Sequence, residues 1–273
     1  MKKQTSKQSV TLKLCESAIM IALATILSML KLVDLPFGGS ITFASMLPIL
    51  LIAYRHGTSW GLLTATVHGI MQFALGASVL HYVSGWKSVT AVILFDYVLA
   101  FALIGLGGLF RKIKNQSAAL VTGAFFACIM RFLCHFISGV TVWRDLSIPG
   151  DEAVIYSLAY NLTYMLPEAI VLALAAFYIG SVLNFSTPKL TTVKKGGEAR
   201  LSVFSCISGA VGIGTLIFDV VCVFSRLQNA DSGSFDITGL SDVNWTAVII
   251  ATAAGAVLFT IFSIIPRLSA KKV

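Results

Sequence analysis

The sequence predicts an all-α, polytopic membrane helix bundle with eight spans and both termini in the cytoplasm. Its 273 residues are 57% hydrophobic and only 12% charged, whereas a soluble domain carries about 25% charged residues. The mean hydropathy is +0.88. Apolar stretches close to the ~20 residues that cross a bilayer recur along the chain. These observations exclude an ordinary soluble domain.

Each predicted span is an apolar stretch bounded by charged or turn-forming residues. The second stretch is the shortest, and its length is compatible with a tilted, thin or partly re-entrant span. The eight stretches lie roughly at 14–33, 41–54, 58–80, 88–110, 117–140, 154–183, 201–225 and 246–266.

The basic residues predict the orientation of these spans. If the N-terminus is inside and the spans alternate, the inside segments hold fifteen lysines and arginines and the outside segments hold four. Cytoplasmic loops carry such an excess, so we expect both termini in the cytoplasm of a cell-membrane protein. The net charge of +8 is therefore a topology signal, and no nucleic-acid partner is expected.

A polar segment divides the chain after the sixth predicted span. Residues 185–200 are basic and contain Pro188 and two adjacent glycines, which is typical of a linker. We expect a six-span membrane domain at 1–188, a cytoplasmic linker at 189–200 and two further spans within 201–273.

Charged side chains inside the predicted spans need a reason, because each costs at least ~2.5–3.5 kcal/mol at the bilayer centre. We expect Glu16 to reach the interface and Glu168, which follows Pro167, to have a structural role. Asp219 has no evident partner, and His56 is expected to be solvated in a loop. The whole intramembrane set is Glu16, Asp96, Arg131, His135, Glu168 and Asp219.

One layer of polar and aromatic side chains is predicted in the outer half of the membrane. At 1.5 Å per residue, Asp96 lies roughly 12 Å below the outer end of its span. A carboxylate, an imidazole, an amide and aromatic rings at one depth are typical of a small-molecule pocket. Trp143 and Tyr156 are equally typical of an interfacial belt, and Asn161 of interhelical packing. The layer comprises Asp96, Tyr97, His135, Trp143, Tyr156 and Asn161.

No sequence pattern indicates catalysis or metal binding. The five cysteines lie in apolar stretches without a CxxC pair, and the histidines form no H-E-x-x-H motif. We therefore predict a protein that is not an enzyme and that holds neither a metal nor a cofactor.

Several segments resemble the thiamine-specific S component of energy-coupling-factor (ECF) vitamin transporters. The resemblance covers roughly residues 10–188 and is carried by LCESAIMIALATILS, ITFASMLPILLIAYRHG, FDYVLAFALIGLGGLF, RFLCHFISGVTVW and IYSLAYN. It implies a six-helix core that binds thiamine from outside. It also implies that small residues of the first helix, Ala18 and Ala22, dock on a transmembrane T component that works with two cytoplasmic ATPase subunits.

The same resemblance assigns the ligand contacts. Asp96 takes the position of an acidic residue that meets the aminopyrimidine, and Trp143 matches an aromatic residue that packs on the ligand. The other ligand-contacting positions correspond to Tyr97, His135, Tyr156 and Asn161.

Two departures from the family pattern leave the exact ligand open. The family usually has glutamate where this chain has Asp96, which is shorter by one methylene. The usual tryptophan of the first loop is absent. Phe37 is a candidate substitute, and Tyr82 and Trp86 are alternative aromatics.

Other functions stay open beside thiamine capture. The same architecture is compatible with a thiamine precursor or another vitamin. A self-sufficient secondary transporter is the main alternative of a different class, since the two extra spans and Asp219 lie outside the six-helix pattern. A membrane scaffold and an intramembrane enzyme are the remaining classes.

Overall fold

The structure is a computed structural model that describes residues 10–35, 38–144, 153–185, 187, 190–192, 203–227 and 237–269. The chain forms two compact units, Met1–Val193 and Lys194–Val273. Each unit has its own helices and its own internal packing.

The first unit is a helix bundle with two small antiparallel hairpins. Its helices are α1 (Val10–Met29), α2 (Leu47–His56), α3 (Thr58–Tyr82), α4 (Trp86–Lys112), α5 (Gln116–Thr141) and α6 (Ala153–Val182). Strands β1 (Lys31–Asp34) and β2 (Ser40–Thr42) form a hairpin between α1 and α2. Strands β3 (Leu183–Asn184) and β4 (Thr191–Thr192) pair after α6.

The described residues include seven helices that are long and apolar enough to cross a membrane, which confirms the predicted helical membrane fold. The second predicted span, 41–54, is different. Pro48 lies in the first turn of α2, and Gly57, with a φ of 97°, ends this helix after ten residues. At 1.5 Å per residue α2 is ~15 Å long, about half the hydrocarbon thickness. This helix alone is too short to cross the hydrocarbon, so seven of the eight predicted spans are full-length helices among the described residues.

Polar contacts at the end of α2 show which way it runs. Arg55 donates through Nε and Nη2 to the two carboxylate oxygens of Glu16, at 2.7 and 2.8 Å. Its Nη1 donates to the carbonyl oxygens of Phe185 and Thr187 at 3.3 and 2.9 Å. The end of α2 therefore lies beside the start of α1 and the end of α6. We call this the linker end of the unit, and the opposite end, with β1 and β2, the hairpin end.

His56 belongs to the same cluster. Its Nε2 lies 2.6 Å from Oε2 of Glu16, and its side chain is fully buried. The prediction of a solvated loop histidine is wrong, because α2 extends through His56 and carries its ring inward. Glu16 likewise has two basic partners in place of simple exposure at the interface.

The core forms around α2. Every residue from Pro48 to Tyr54 is buried, and α2 lies among α1, α3 and α4. A helix that is apolar all round is one that packs on every side. The shortest of the predicted spans is thus the central element of the unit.

The backbones of α3, α4 and α5 approach closely at glycines. A Cβ on Gly105 of α4 would meet backbone atoms of Gly61 and Leu62 in α3. A Cβ on Gly123 of α5 would lie 2.8 Å from the carbonyl oxygen of Gly107. Small residues permit this close packing between membrane helices, so these glycines set the distances between the three helices.

The second unit contains two long antiparallel helices, α7 (Val203–Leu227) and α8 (Trp245–Ser269), with a short 3₁₀ helix at Ile237–Asp242 before α8. Ser208 donates to the carbonyl oxygen of Phe259 at 3.1 Å, and Thr252 donates to Oδ2 of Asp219 at 2.8 Å. Asp219, for which the sequence offered no partner, is thus hydrogen-bonded within this pair.

We expect Gly105→Ala to lower the free energy of unfolding by ~1–3 kcal/mol, because the added methyl overpacks the contact between α3 and α4. Gly214→Ala in α7 is the matched control, since a Cβ there meets no atom within 4 Å. Thermal unfolding in detergent measures both. Equal melting temperatures for the two variants would contradict the close approach at Gly105.

Candidate functional site

A cavity of about 650 Å³ opens within the first unit. It is bounded by the β1–β2 hairpin, the adjoining ends of α1 and α3, and by α4, α5 and α6. Its volume lies in the range of sites that hold small organic molecules. All six residues of the predicted layer line it: Asp96, Tyr97, His135, Trp143, Tyr156 and Asn161.

A change of helix type places two of these residues. Helix α4 is α-helical to Val92, π-helical over Ile93–Leu99 and then 3₁₀ over Leu103–Lys112. The π-helical turn contains Asp96 and Tyr97. Such turns are rare and occur often at functional sites.

Asp96 is the centre of a hydrogen-bond cluster at the hairpin end of α5. Its Oδ1 lies 3.1 Å from Nδ1 of His135, and its Oδ2 accepts from Ser138 at 2.7 Å and from Nε1 of Trp143 at 3.1 Å. Charged acceptors form stronger hydrogen bonds than neutral ones. The carboxylate therefore orients an imidazole and an indole against one wall of the cavity.

Aromatic rings surround this cluster. Trp143 is buried among valines of α3 and α4, and Tyr156 packs against the same group. The Tyr97 hydroxyl donates to the carbonyl oxygen of Gly76 at 3.1 Å, and its ring meets Phe73 edge to face at 5.4 Å. The cavity thus presents ring faces that protein contacts hold in place.

Asn161 is buried at the α6 wall, and the protein already engages its amide. Its Nδ2 donates to the Ser157 carbonyl at 2.8 Å and to the Ser157 hydroxyl at 3.3 Å. Its Oδ1 accepts from the Tyr164 hydroxyl at 2.7 Å. Asn161 lines the cavity as predicted, but it lies at the centre of a local network.

The β1–β2 hairpin forms the remaining wall. The backbone N–H of Gly39 donates to the Tyr160 hydroxyl at 3.1 Å, which joins the hairpin turn to α6. Tyr82 lines the cavity, whereas Trp86 is 75% exposed and is not among the lining residues. Phe37, the candidate substitute for the family tryptophan, lies outside the described residues.

Two charged residues at the deep end of the cavity make contacts that the sequence did not predict. Arg131 Nη1 donates to Oε2 of Glu168 at 3.0 Å, and Thr42 of β2 donates to the other carboxylate oxygen at 2.8 Å. The Arg131 guanidinium also lies 4.6 Å from the ring centroid of Phe101. Both charges line the cavity, so Glu168 combines its expected structural role with a place in the wall.

The small residues proposed for docking lie elsewhere in the unit. Ala18 and Ala22 are exposed on α1, while Ser17 and Ala24 on the same helix are buried. Within the described ranges, no group of three or more His, Cys, Asp or Glu side chains is placed to hold a metal ion.

Comparisons with known proteins place this geometry in context. A family model described as thiamine transporter protein (Thia_YuaJ) matches residues 14–187. The thiamine transporter ThiT of Bacillus subtilis (strain 168) is 34% identical over 181 residues, which span 62% of this chain and 89% of that protein. A solved structure of ThiT from Listeria monocytogenes matches with a TM-score of 0.52 at 23% identity, over 62% of this chain and 93% of that chain. The last match shows the fold.

We expect Glu168→Gln to destabilise the first unit by ~3–5 kcal/mol, because it leaves the Arg131 guanidinium buried without a counter-charge. The measurement is thermal unfolding of the purified protein. A double variant, Arg131→Met with Glu168→Leu, should recover most of the loss. A single variant within ~1 kcal/mol of the parent would show that the pair is not a stabilising contact.

Proposed function

This chain belongs to the thiamine transporter protein (Thia_YuaJ) family, and on that premise we propose that its first unit captures thiamine in the cavity between α3, α4, α5 and α6. The family is one of transporters and not of enzymes. The chain accordingly is a multi-pass membrane protein for vitamin uptake.

The main support for thiamine as the ligand is that Asp96 and aromatic rings line the same cavity. Thiamine has a permanent positive charge on its thiazolium ring. A cation over the face of Trp or Tyr gains ~0.5–2 kcal/mol, and more where water is excluded. Trp143, Tyr97 and Tyr156 supply such faces beside the carboxylate.

The charges deeper in the cavity support the same ligand. Arg131 and Glu168 neutralise each other across 3.0 Å, so their pair adds little net charge. The Asp96 carboxylate is then a buried negative charge of the wall that attracts a cation, while Lys31 lines the cavity from an exposed position. Opposite charges at short range interact more strongly in a dry site than in water.

We propose further that the hairpin end faces the outside and that partner proteins drive release to the cytoplasm. The excess of basic residues in the predicted inside segments supports this orientation. The resemblance to ECF S components supports a T component and two ATPase subunits as the partners. The exposed Ala18 and Ala22 face of α1 is the proposed docking surface, since small residues allow close helix approach.

A thiamine precursor with the same aminopyrimidine is the second candidate ligand. Asp96 is one methylene shorter than the glutamate of the family pattern, and three protein donors hold its carboxylate against α5. Because these donors hold the carboxylate back from the ligand, recognition depends more on the pyrimidine ring and less on the charge of the thiazolium ring.

We expect thiamine to quench the tryptophan fluorescence of the purified full chain saturably, at nanomolar concentrations, because Trp143 lies in the cavity wall. In Trp143→Phe most of the quenching should disappear. Trp86→Phe is the matched control, since Trp86 is exposed and does not line the cavity; it should keep the signal. Calorimetric titration provides the affinities independently.

The outcomes separate the candidates. Saturation by thiamine supports the proposal. A folded sample that responds only to an isolated aminopyrimidine supports the precursor. No response to either up to millimolar concentration contradicts both.

We expect Ala18→Trp to leave thiamine affinity unchanged and to abolish uptake in cells that express the partner proteins, because a bulky ring prevents close helix docking. Ala210→Trp, which adds the same ring at an exposed position of α7, should transport normally. Full uptake by the Ala18 variant would place the docking surface elsewhere.

A further inference from the structure

We propose that the linker end of the first unit carries a binding site for an anionic phospholipid, in which Arg111 and Lys112 bind the headgroup phosphate beside the indole of Trp60. The ligand class is a lipid with a net negative headgroup and two acyl chains, such as phosphatidylglycerol. This inference goes beyond the proposed function, because the site needs neither thiamine nor a partner protein.

The site lies where three membrane-spanning helices end. Helix α3 begins at Thr58, α4 ends at Lys112 and α5 begins at Gln116, so that only residues 113–115 join α4 to α5. A loop that directly joins two spans lies at the surface of the bilayer, within reach of the phosphate headgroups. Basic side chains at this position are therefore placed to meet anionic lipid.

The basic side chains at the end of α4 have no acidic partner within the described ranges. Arg111, Lys112 and Lys114 are all exposed, and none of them forms an ion pair with a described residue. Glu16, the carboxylate at the linker end, is already held by Arg55 through both oxygens at 2.7 and 2.8 Å. The surface beside the α4–α5 loop is therefore positive.

Arg111 lies against the start of α3. A Cβ added to Gly57 would be 2.5 Å from Nη1 of Arg111, so the guanidinium covers the turn between α2 and α3. Trp60 follows Gly57 by about one helical turn, on the same side of the helix. Its ring is half-buried, and its Nε1 donates to Ser17 at 2.9 Å. A partly exposed indole fixed at the end of a span is typical of the membrane interface.

A second basic group meets the same indole. Nζ of Lys13, in α1, lies 5.6 Å from the centroid of the Trp60 ring. Lys13 and Arg111 thus bring positive charge to the start of α3 from two different helices. Charge-assisted hydrogen bonds from lysine and arginine to phosphate oxygens are among the strong ones, and a phosphodiester offers oxygens to more than one donor.

Apolar side chains next to these charges favour a lipid over a soluble anion. Leu14 follows Lys13, Leu63 lies about one turn after Trp60, and Leu109 precedes Arg111 by two residues. Each of these three leucines is more than half exposed. Lipid tails are as apolar as leucine, so acyl chains fit beside them. A soluble phosphate would use the charges alone, whereas a phospholipid uses both parts of the surface.

The hairpin end offers an internal comparison. Nζ of Lys87 lies 5.9 Å from the centroid of the Trp86 ring, which repeats the pairing of a lysine with an indole. Lys87 is, however, the only lysine or arginine between His56 and Phe110 in the sequence, so this indole has no basic loop like that of Arg111 beside it. We therefore expect anionic lipid to be enriched at Trp60 and not at Trp86.

The experiment measures the lipid composition beside each indole. Two versions of the full chain keep one of the four tryptophans, Trp60 or Trp86, and have phenylalanine at the other three positions. Each is reconstituted in vesicles of phosphatidylcholine with a fixed fraction of phosphatidylglycerol. Bromine on the acyl chains of one lipid or the other quenches a neighbouring indole. We expect phosphatidylglycerol to be enriched at least ~threefold at Trp60, as for a headgroup near several basic residues, and not at Trp86.

Charge substitutions then test the assigned residues. Arg111→Gln with Lys112→Gln should remove the enrichment at Trp60. Lys87→Gln with Arg226→Gln is the matched control, since it also replaces one exposed arginine and one exposed lysine, and it should keep the enrichment. A second measurement uses the chain with all four tryptophans: mass spectrometry of the intact protein released from detergent counts the retained lipids, and the site variant should retain less phosphatidylglycerol than the control.

The other outcomes overturn the proposal. Equal quenching by the two lipids at Trp60 of the parent would contradict it, as would an enrichment that survives Arg111→Gln with Lys112→Gln. An enrichment lost equally in the control would show a general effect of net charge. Displacement of the lipid by inorganic phosphate would identify a soluble anion as the ligand.

Two further results separate this proposal from the others. A parent without lipid enrichment, whose Arg111 and Lys112 variant no longer assembles with transport partners, would assign the surface to a protein and overturn the lipid site. Thiamine binding is measured separately, and its absence would contradict the proposed function while the quenching ratio at Trp60 still decides the lipid site.

Discussion

The buried ion pair between Arg131 and Glu168 holds the middle of the first unit in place. Two opposite charges lie 3.0 Å apart on α5 and α6, and Glu168 is almost fully buried. Removing either charge from water is expensive, and only close pairing with further hydrogen bonds compensates. Thr42 supplies one such bond from β2. Two helices and the end of the hairpin are therefore held at one point, and the cavity lies on the hairpin side of it.

The polar groups nearer the hairpin end are also paired within the protein. Asp96 has three protein donors, and Asn161 has donors and acceptors within α6. Each group in a lipid-embedded bundle must find its partner inside the protein. Contacts within the protein thus hold these polar side chains of the cavity wall in place.

The sequence predicted what depends on composition and on depth along a helix. Hydropathy located seven helices that the structure contains, and counting residues along alternating spans placed Asp96 and His135 at one level, where they are in contact. It failed where tertiary packing decides. The α2 stretch is apolar like a span, but its helix is limited to the ten residues Leu47–His56, which Gly57 ends.

The misses at the charged residues have a related cause. Glu16 lies 39 positions from Arg55 and 40 from His56 in the chain, and only the antiparallel packing of α1 and α2 brings them together. Similarly, nothing in the run of apolar residues around Asp96 indicates a π-helical turn. Charge alone does offer a signal for one contact. Arg131 and Glu168 both lie in predicted spans, where an unpaired charge is unfavourable, so each is a candidate ion-pair partner for the other.

The form of α2 bears on how the chain enters a membrane during synthesis. Helices α1 and α3 are long enough to leave the insertion machinery individually and face lipid. Segment 40–56 is a strand followed by a ten-residue helix in which every residue from Pro48 to Tyr54 is buried, so it presents few side chains to lipid. Its neighbours α3 and α4 come later from the ribosome, so the packing at the centre of this bundle is completed only after they have been made.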